Sequence, residues 1–451
     1  MTIPKTTRLE NAAIIYPCCR TRKYAAMFRL TVTMDAPVDP ELLDQALQTT
    51  MERFPSFGYT LRNGAFWWYL RRLNHKPGVG KTQPFLPFSF RSNGGYLFKL
   101  GYEGACINLD VFHALTDGTG GMTFLLSLAA EYARLRYGSR VEYGKWVFDP
   151  REEPTPEEIE DSFDHFSGTK GSLDSETRAY HVQGRVERPG RLNNLRVSVS
   201  SDQLRTLARK HDCTVTEFVS SLLFASLQEV RAAQADRRTS PFIRIEVPVN
   251  LRPIYGRKTL RNFSSYVHLG LDVRNGEVPF DEIVRDIKLQ KQLEIQPRRI
   301  TTRVAANVAL EDNVAIGIIP LFIKKPIINL INHLKGDNYT TYTLSNIGQI
   351  ELPAELAAHV RDLDFMLGRT RQTSGACACV SYDGRMTLNL SRKIAEDAVE
   401  QVFLRRLREL GLSPEVRYSE PSAIPAKTAA PKAEPAIRFG KPYPLPQLKC
   451  A

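Results

Sequence analysis

Residues 105–137 read ACINLDVFHALTDGTGGMTFLLSLAAEYARLRY. The first eight residues of this stretch predict a strand, and a polar corner rich in glycine follows them. Apolar residues then recur at helical spacing from about Met122 to Tyr137. Gly138 stands where a glycine commonly ends a helix. We therefore predict a strand, a corner and a helix in this order.

His113 lies at the end of the predicted strand, where the backbone is rigid but the side chain is not sealed inside a sheet. An imidazole in such a place is well suited to taking a proton near neutral pH. Asp117 follows in the corner, where its carboxylate would point back into the fold and fix the loop. Gly118, Gly120 and Gly121 would let the backbone turn tightly and a ligand approach closely. A lone histidine is more commonly structural, so the catalytic interpretation depends on further motifs.

The pattern His113-x-x-x-Asp117-Gly118, entered from a strand and left by an apolar helix, resembles the active-site motif of the CoA-dependent acyltransferase superfamily. This superfamily includes chloramphenicol acetyltransferase, the condensation domains of nonribosomal peptide synthetases, the plant HxxxD acyltransferases and the alcohol acetyltransferases. The resemblance implies that His113 is a general base and that Asp117 belongs to the catalytic motif in a structural role. It implies acyl-CoA, first of all acetyl-CoA, as co-substrate, with no bound cofactor and no metal.

A second resemblance lies in the second half of the chain. The segment Pro248–Pro253, followed by Arg261-Asn262-Phe263, looks like a signature of the same superfamily, in which an arginine pairs with the motif aspartate. The resemblance therefore implies Arg252 as the structural partner of Asp117, with Arg53 as second choice. A surface arginine beside a proline is the alternative for Arg252.

The segment Ser345-Asn346-Ile347-Gly348 follows a predicted strand and resembles the second motif of alcohol acetyltransferase-like proteins. This likeness implies that Ser345 and Asn346 donate hydrogen bonds to a developing oxyanion. Together with Gly118 they are the predicted substrate-binding residues, while Gly120 is predicted to be structural.

The chain is predicted to be an α/β protein of two similar chloramphenicol acetyltransferase-like lobes. Each lobe is a mixed sheet with helices, and the active-site tunnel lies between them. The first lobe, with the motif, is predicted at 1–148, and a crossover linker with a solvated acidic stretch at 149–190. The second lobe is predicted at 191–418, and a disordered tail rich in proline, alanine and lysine at 419–451. The strongly apolar residues 314–334 predict a buried helix pair, with a membrane-facing patch as the alternative.

Composition limits the partners. The chain has 451 residues, is 42% hydrophobic and carries a net charge of +12, which favours anionic partners such as a membrane surface or the phosphates of CoA. No run of Lys and Arg with interleaved aromatics is present, so nucleic acid is not expected. Seven cysteines at irregular spacings and an N-terminus without an apolar signal core predict reduced thiols in a cytoplasmic, soluble protein.

The predicted reaction is transfer of an acyl group to a small alcohol or lipid-like hydroxyl acceptor. A condensation-type enzyme would instead use an amine and a carrier-bound donor, but Phe112 stands where those domains usually have another histidine. A binding protein without catalysis would keep the fold and be indifferent to loss of His113, and a nucleic-acid binder would exploit the net positive charge. The identity of the acceptor, the acyl length and the oligomeric state do not follow from the sequence.

Overall fold

The structure is a computed structural model that describes residues 3–21, 24–172, 176–187, 191–234, 239–313, 317–331, 338–370 and 373–418. The tail predicted at 419–451 lies outside the described residues. The elements of the first half are β1 (Thr6–Arg8), α1 (Ile15–Cys19), β2 (Met27–Met34), α2 (Pro40–Arg53), β3 (Tyr59–Asn63), β4 (Trp68–Arg72), β5 (Val79–Lys81), β6 (Phe98–Glu103), β7 (Cys106–Phe112), α3 (Gly118–Tyr137) and α4 (Pro156–Ile159).

The second half has more elements. They are β8 (Asn193–Ser200), α5 (Ser201–Lys210), α6 (Val215–Gln234), β9 (Phe242–Asn250), α7 (Arg252–Tyr255), β10 (Ser264–Asp272), α8 (Phe280–Glu294), α9 (Pro297–Asp312), α10 (Leu321–Ile331), β11 (Tyr342–Gln349), α11 (Ala354–Ala357), β12 (Val360–Leu367), β13 (Gly375–Tyr382), β14 (Arg385–Arg392), α12 (Ala398–Glu409) and β15 (Glu415–Tyr418). The mixed α/β class predicted from the sequence is confirmed.

The first lobe is built on a five-stranded mixed sheet in the order β12-β2-β7-β6-β5. Strand β2 pairs antiparallel with β7, which places Leu30 opposite Leu109 in the buried core. Helix α2 begins where the Asp39 carboxylate accepts from the backbone N–H groups of Glu41 and Leu42, as its N-cap position predicts. Strand β12 comes from the second half of the chain, so the two halves share this sheet.

The second lobe is built on a seven-stranded mixed sheet in the order β10-β9-β11-β13-β14-β8-β15. Its parallel strands are β9, β11 and β13, and the others pair antiparallel. The hairpin between β13 and β14 turns at Asp383 and Gly384, which both have positive φ angles as a tight turn of this type requires. Helix α6 begins with the predicted capping box, in which Thr214 and Glu217 bond reciprocally.

Two predictions about surface and core are wrong. Within the described part of residues 314–334, which is 317–331, the predicted buried helix pair is not found, because α10 exposes most of its large apolar side chains. The acidic stretch of the crossover segment is not entirely solvated either. Glu158 is buried and accepts from both terminal nitrogens of Arg53, at 2.6 and 2.9 Å. A buried carboxylate of this kind is tolerated because it is paired.

Candidate active site

His113 follows directly after the last residue of β7. Its backbone N–H donates to the carbonyl of Ala26 at 2.9 Å, which continues the pairing of β7 with the segment before β2. The imidazole is half-buried and stacks on the ring of Tyr16, with ring centres 4.4 Å apart and planes 25° apart. The ring of Phe28 meets it edge-on at 5.2 Å. Two aromatic rings therefore fix the plane of the imidazole.

One imidazole nitrogen is bound to Asn262, a buried residue two positions before β10. His113 Nδ1 lies 3.1 Å from Asn262 Oδ1. An amide oxygen only accepts, so in this bond Nδ1 carries the proton and Nε2 keeps its free lone pair. That is the tautomer that a general base acting through Nε2 requires. Because 149 residues separate the two side chains, the bond joins the two halves of the chain.

The environment of His113 also sets its charge. Burial lowers the pKa of His113 below its ordinary value, although the nearby Asp117 carboxylate and the hydrogen bond to Asn262 act in the opposite direction. The imidazole is therefore neutral at physiological pH, which is the state of a base ready to accept a proton.

Asp117 caps α3 and serves as an acceptor for four donors. Its carboxylate accepts from the backbone N–H groups of Gly120 and Phe263, each at 3.0 Å, and from both terminal nitrogens of Arg252, at 2.8 and 3.2 Å. Burial alone would raise the pKa of Asp117, but the Arg252 guanidinium and these hydrogen bonds hold it below its usual range. No hydrogen bond joins Asp117 to His113. Its carboxylate is fully used in fixing the corner.

Arg252 also holds the loop that carries Asn262. Its Nε and Nη2 each donate to a backbone carbonyl, of Thr259 and of Arg261, at 2.6 Å. The side chain is 9% exposed, so it is a buried arginine rather than a surface one. The partner that the resemblance implied for Asp117 is the one observed, whereas Arg53, the second choice, is bound to Glu158.

The glycines of the corner act differently from the prediction. Helix α3 begins at Gly118, four residues before the predicted start, so Gly118, Gly120 and Gly121 lie within its first turns and none has a positive φ. Gly120 is required by close packing. A Cβ atom there would lie 2.2 Å from Thr116 Oγ1 and 2.4 Å from the carbonyl oxygen of Leu260. The absence of a side chain lets the loop before Asn262 reach the helix.

The Ser345–Gly348 segment lies within β11, not after it, and the strand bulges there against β13. A Cβ atom added to Gly118 would lie 3.6 Å from the side chain of Ile347, so this bulge reaches the start of α3. Asn346 bonds to Thr216 at the start of α6 and to the N–H of Gly348. Its side chain therefore fixes the bulge, while Ser345, the neighbour of opposite parity, points to the other face of the sheet.

The sequence matches no protein-family model and no curated protein. Solved structures nevertheless share the fold across almost the whole chain. TRI3 trichothecene 15-O-acetyltransferase from Fusarium sporotrichioides has a TM-score of 0.59 at 11% identity, over 90% of this chain and 94% of its own. The first condensation domain of the calcium-dependent antibiotic synthetase has a TM-score of 0.58 at 16% identity, over 92% and 99%. TRI101 from F. graminearum, solved with coenzyme A and T-2 mycotoxin, has a TM-score of 0.58 at 12% identity, over 91% and 99%.

This chain has the fold of these acetyltransferases and of this condensation domain. Both acetyltransferases and condensation domains match it at similar TM-scores, so the fold by itself does not separate the two classes of activity. The chemistry has to be argued from the side chains around His113.

Two neighbours of His113 in the structure, Asn262 and Tyr16, do not follow from the sequence patterns. Asn262 lies inside the Arg261-Asn262-Phe263 segment that was recognised as a signature, but no role was given to it. In the structure all three residues make buried polar contacts. Asn262 bonds to His113, Arg261 pairs with the buried Glu10, and the Phe263 N–H donates to the Asp117 carboxylate. Tyr16 had no sequence signal, because its contact with His113 depends on how the N-terminal segment packs.

Two small cavities are described in the structure. One lies beside Arg261 and Tyr59 and the other beside Met27 and Arg369, and His113 lines neither of these two cavities. Tyr16 stacks on one face of the imidazole, and Phe28 contacts it edge-on.

Proposed function

We propose that this protein transfers an acyl group, acetyl in the first instance, from acyl-CoA to the hydroxyl of an acceptor, with His113 as general base. The observation that carries the proposal is the bond from His113 Nδ1 to Asn262, which leaves Nε2 free to accept a proton. The fold supports it, because TRI3 and TRI101 share the architecture and TRI101 was solved with coenzyme A and a mycotoxin. Acyl-CoA is thus proposed as co-substrate and a small or lipid-like alcohol as acceptor.

The proposed step is a direct transfer. His113 Nε2 takes the proton of the acceptor hydroxyl, and the oxygen forms a bond to the thioester carbonyl carbon. The carbon–sulfur bond of the resulting tetrahedral intermediate then breaks, and the CoA sulfur takes the proton back from Nε2. Both substrates have to be bound together for this step, so much of the acceleration comes from their proximity.

The remaining site residues are given supporting roles in this proposal. Asp117 and Arg252 hold the corner and the Asn262 loop in register, because their buried ion pair joins the two. Ser345 is the proposed hydrogen-bond donor to the oxyanion, since it lies on the face of β11 opposite to Asn346. Asn346 is assigned to the bulge and no longer to the substrate, because its amide is bound to Thr216 and Gly348.

A condensation-type reaction is the second candidate, and the likeness to a condensation domain at a TM-score of 0.58 favours keeping it. It would use an amine acceptor and a carrier-bound acyl donor. The residue before His113 is Phe112, which is fully buried and supplies no second imidazole. This difference favours the free-standing transferase. A cytoplasmic location is proposed with it, because all the described cysteines are free thiols.

The test is thiol release from acyl-CoA with a panel of alcohols and amines of increasing chain length. We expect thiol release that depends on an alcohol, and an ester product detected by mass spectrometry. The same acceptors are then offered with an acyl group on a carrier-protein phosphopantetheine arm. A faster reaction from the carrier, with amide rather than ester as product, would contradict the proposal and establish the condensation reaction.

A further inference from the structure

Helix α10 presents its apolar face to solvent. Phe322, Ile323, Pro326, Ile327 and Leu330 follow the spacing that places residues on one side of a helix. The exposed fractions on this surface are 78% for Phe322, 43% for Ile323, 45% for Ile327, 56% for Leu330 and 66% for the preceding Ile318. Large apolar side chains gathered on one exposed face mark an interaction site more often than chance exposure does.

The helix is fixed to the protein by its other side, which carries a lysine. The Lys324 ammonium lies 3.3 Å from the centre of the Trp67 ring, and the residue is only 2% exposed. The N–H of Leu321 donates to the carbonyl of Ala65 at 2.8 Å, so α10 begins on the β3–β4 hairpin. Phe66, at the tip of the same hairpin, is 46% exposed and extends the surface. The packing therefore turns the apolar face outwards and holds it there.

The two segments that form this surface lack acidic residues and carry basic ones. The chain has no Asp or Glu between Arg53 and Tyr102, where it has seven Lys and Arg, and none between residues 313 and 336. Lys325 on α10 and Arg62 on β3, in the hairpin that carries Phe66 at its tip, are both exposed. An apolar face with a basic rim is the composition of helices that lie in the interface of anionic membranes.

We propose that α10 and the tip of the β3–β4 hairpin dock this protein on an anionic lipid bilayer. The apolar side chains would enter the boundary between head groups and acyl chains, while Arg62 and Lys325 meet lipid phosphates. The docking is peripheral, since none of the described helices has the length and hydropathy to cross a bilayer. The absence of acidic residues in both segments favours lipid over a protein partner, whose surface normally carries charges of both signs.

The same surface adjoins the site around His113. Helix α10 packs on α1, the helix whose Tyr16 stacks on the imidazole. This juxtaposition gives a hydroxyl acceptor dissolved in the bilayer a short route to the base. This last step rests on the proposed function, whereas the docking itself does not depend on it.

The test uses the full-length protein and co-sedimentation with phosphatidylcholine vesicles, with and without phosphatidylglycerol. We expect binding to the anionic vesicles that weakens as salt is added. The double variant Phe322→Ser with Leu330→Ser should bind at least about tenfold more weakly, because burying each apolar side chain contributes more than a tenfold factor. The control is Leu289→Ser on α8, which removes an apolar side chain that is 58% exposed elsewhere and should leave binding unchanged.

Two further arms make the outcome decisive. Lys325→Gln should weaken binding to anionic vesicles and leave binding to neutral vesicles unchanged. His113→Ala should bind like the wild type, so a failure of the proposed chemistry is distinguishable from a failure of docking. Absence of wild-type binding, or equal binding by the double variant, would overturn the proposal. A shift from dimer to monomer in the double variant without loss of vesicle binding would overturn it in favour of a second copy of the chain.

Discussion

Replacing Asp117 by Asn tests the structural core of the site. The carboxylate faces four donors, two backbone N–H groups and two nitrogens of Arg252, at 2.8 to 3.2 Å. An amide has a single oxygen to accept with, and its NH2 group would face donors. The buried Arg252 would also lose its counter-charge. Breaking a buried pair in this way costs about 3–5 kcal/mol, so Asp117→Asn should unfold at markedly lower urea concentration.

The pH dependence of stability provides an independent check. The folded-state pKa of Asp117 is held below its usual range. The ionised carboxylate therefore stabilises the wild type fully above about pH 4, and this contribution to the unfolding free energy is lost as the pH falls through the folded pKa. The Asn variant should lack this acid-dependent part of the loss. Thus the difference between the two proteins should shrink as the solution is acidified.

Asp110→Asn is the matched control. Asp110 lies on β7 and pairs with Arg29 on β2, at 2.5 and 2.8 Å, in a similarly buried position outside the Asp117 cluster. The Asp110→Asn protein should have a lower unfolding free energy, while its folded fraction keeps the wild-type kcat for thiol release. The Asp117→Asn protein should lose both stability and kcat. If Asp117→Asn changed the unfolding free energy by no more than about 0.5 kcal/mol, as a surface substitution does, the reasoning would be refuted.

Three further predictions follow from the same geometry. Gly120→Ala should lower the unfolding free energy by about 1–3 kcal/mol, because the new Cβ would overlap Thr116 Oγ1. Gly118→Ala, where the nearest atom to the new Cβ is 3.6 Å away, should melt like the wild type. Equal melting temperatures for the two variants would contradict this prediction. Asn262→Ala should lower kcat by up to about 10²-fold, because the base is misplaced, with KM for acetyl-CoA nearly unchanged. Asn262→Asp should shift the pH–rate profile to higher pH. An unchanged profile would contradict the contact between residue 262 and His113. In the wild type, the rate should stay constant from neutral pH downwards and fall only below about pH 6.5, because burial lowers the pKa of His113 and protonation removes the base; a midpoint above that value would be inconsistent with it.

Local patterns predicted most of the regular structure. Helix α2 was readable because Asp39 and Pro40 are strong helix-start residues, and the β13–β14 hairpin because Asp383-Gly384 suits a tight turn. The start of α3 was misplaced for a physical reason. Three glycines have low helix propensity, so they indicate a loop, but packing against the Leu260 segment requires a residue without a side chain.

Long-range partners were the part that the sequence did not reveal. Strand β12 joins the sheet of the first lobe by pairing with β2, more than 300 residues earlier, and no local pattern names such a partner. The bond between His113 and Asn262 is likewise a product of tertiary packing. The apolar run in α10 was assigned to the core because hydropathy shows only that residues are apolar. It does not show whether anything covers them.

Thiol release by His113→Ala, measured against the wild type with acetyl-CoA and the best alcohol from the panel, tests directly whether His113 is the general base. We expect turnover to fall about 10²–10⁴-fold, the usual contribution of a positioned general base, while circular dichroism and the urea midpoint stay close to the wild type. Near-normal turnover by a well-folded His113→Ala protein would show that His113 is not the general base.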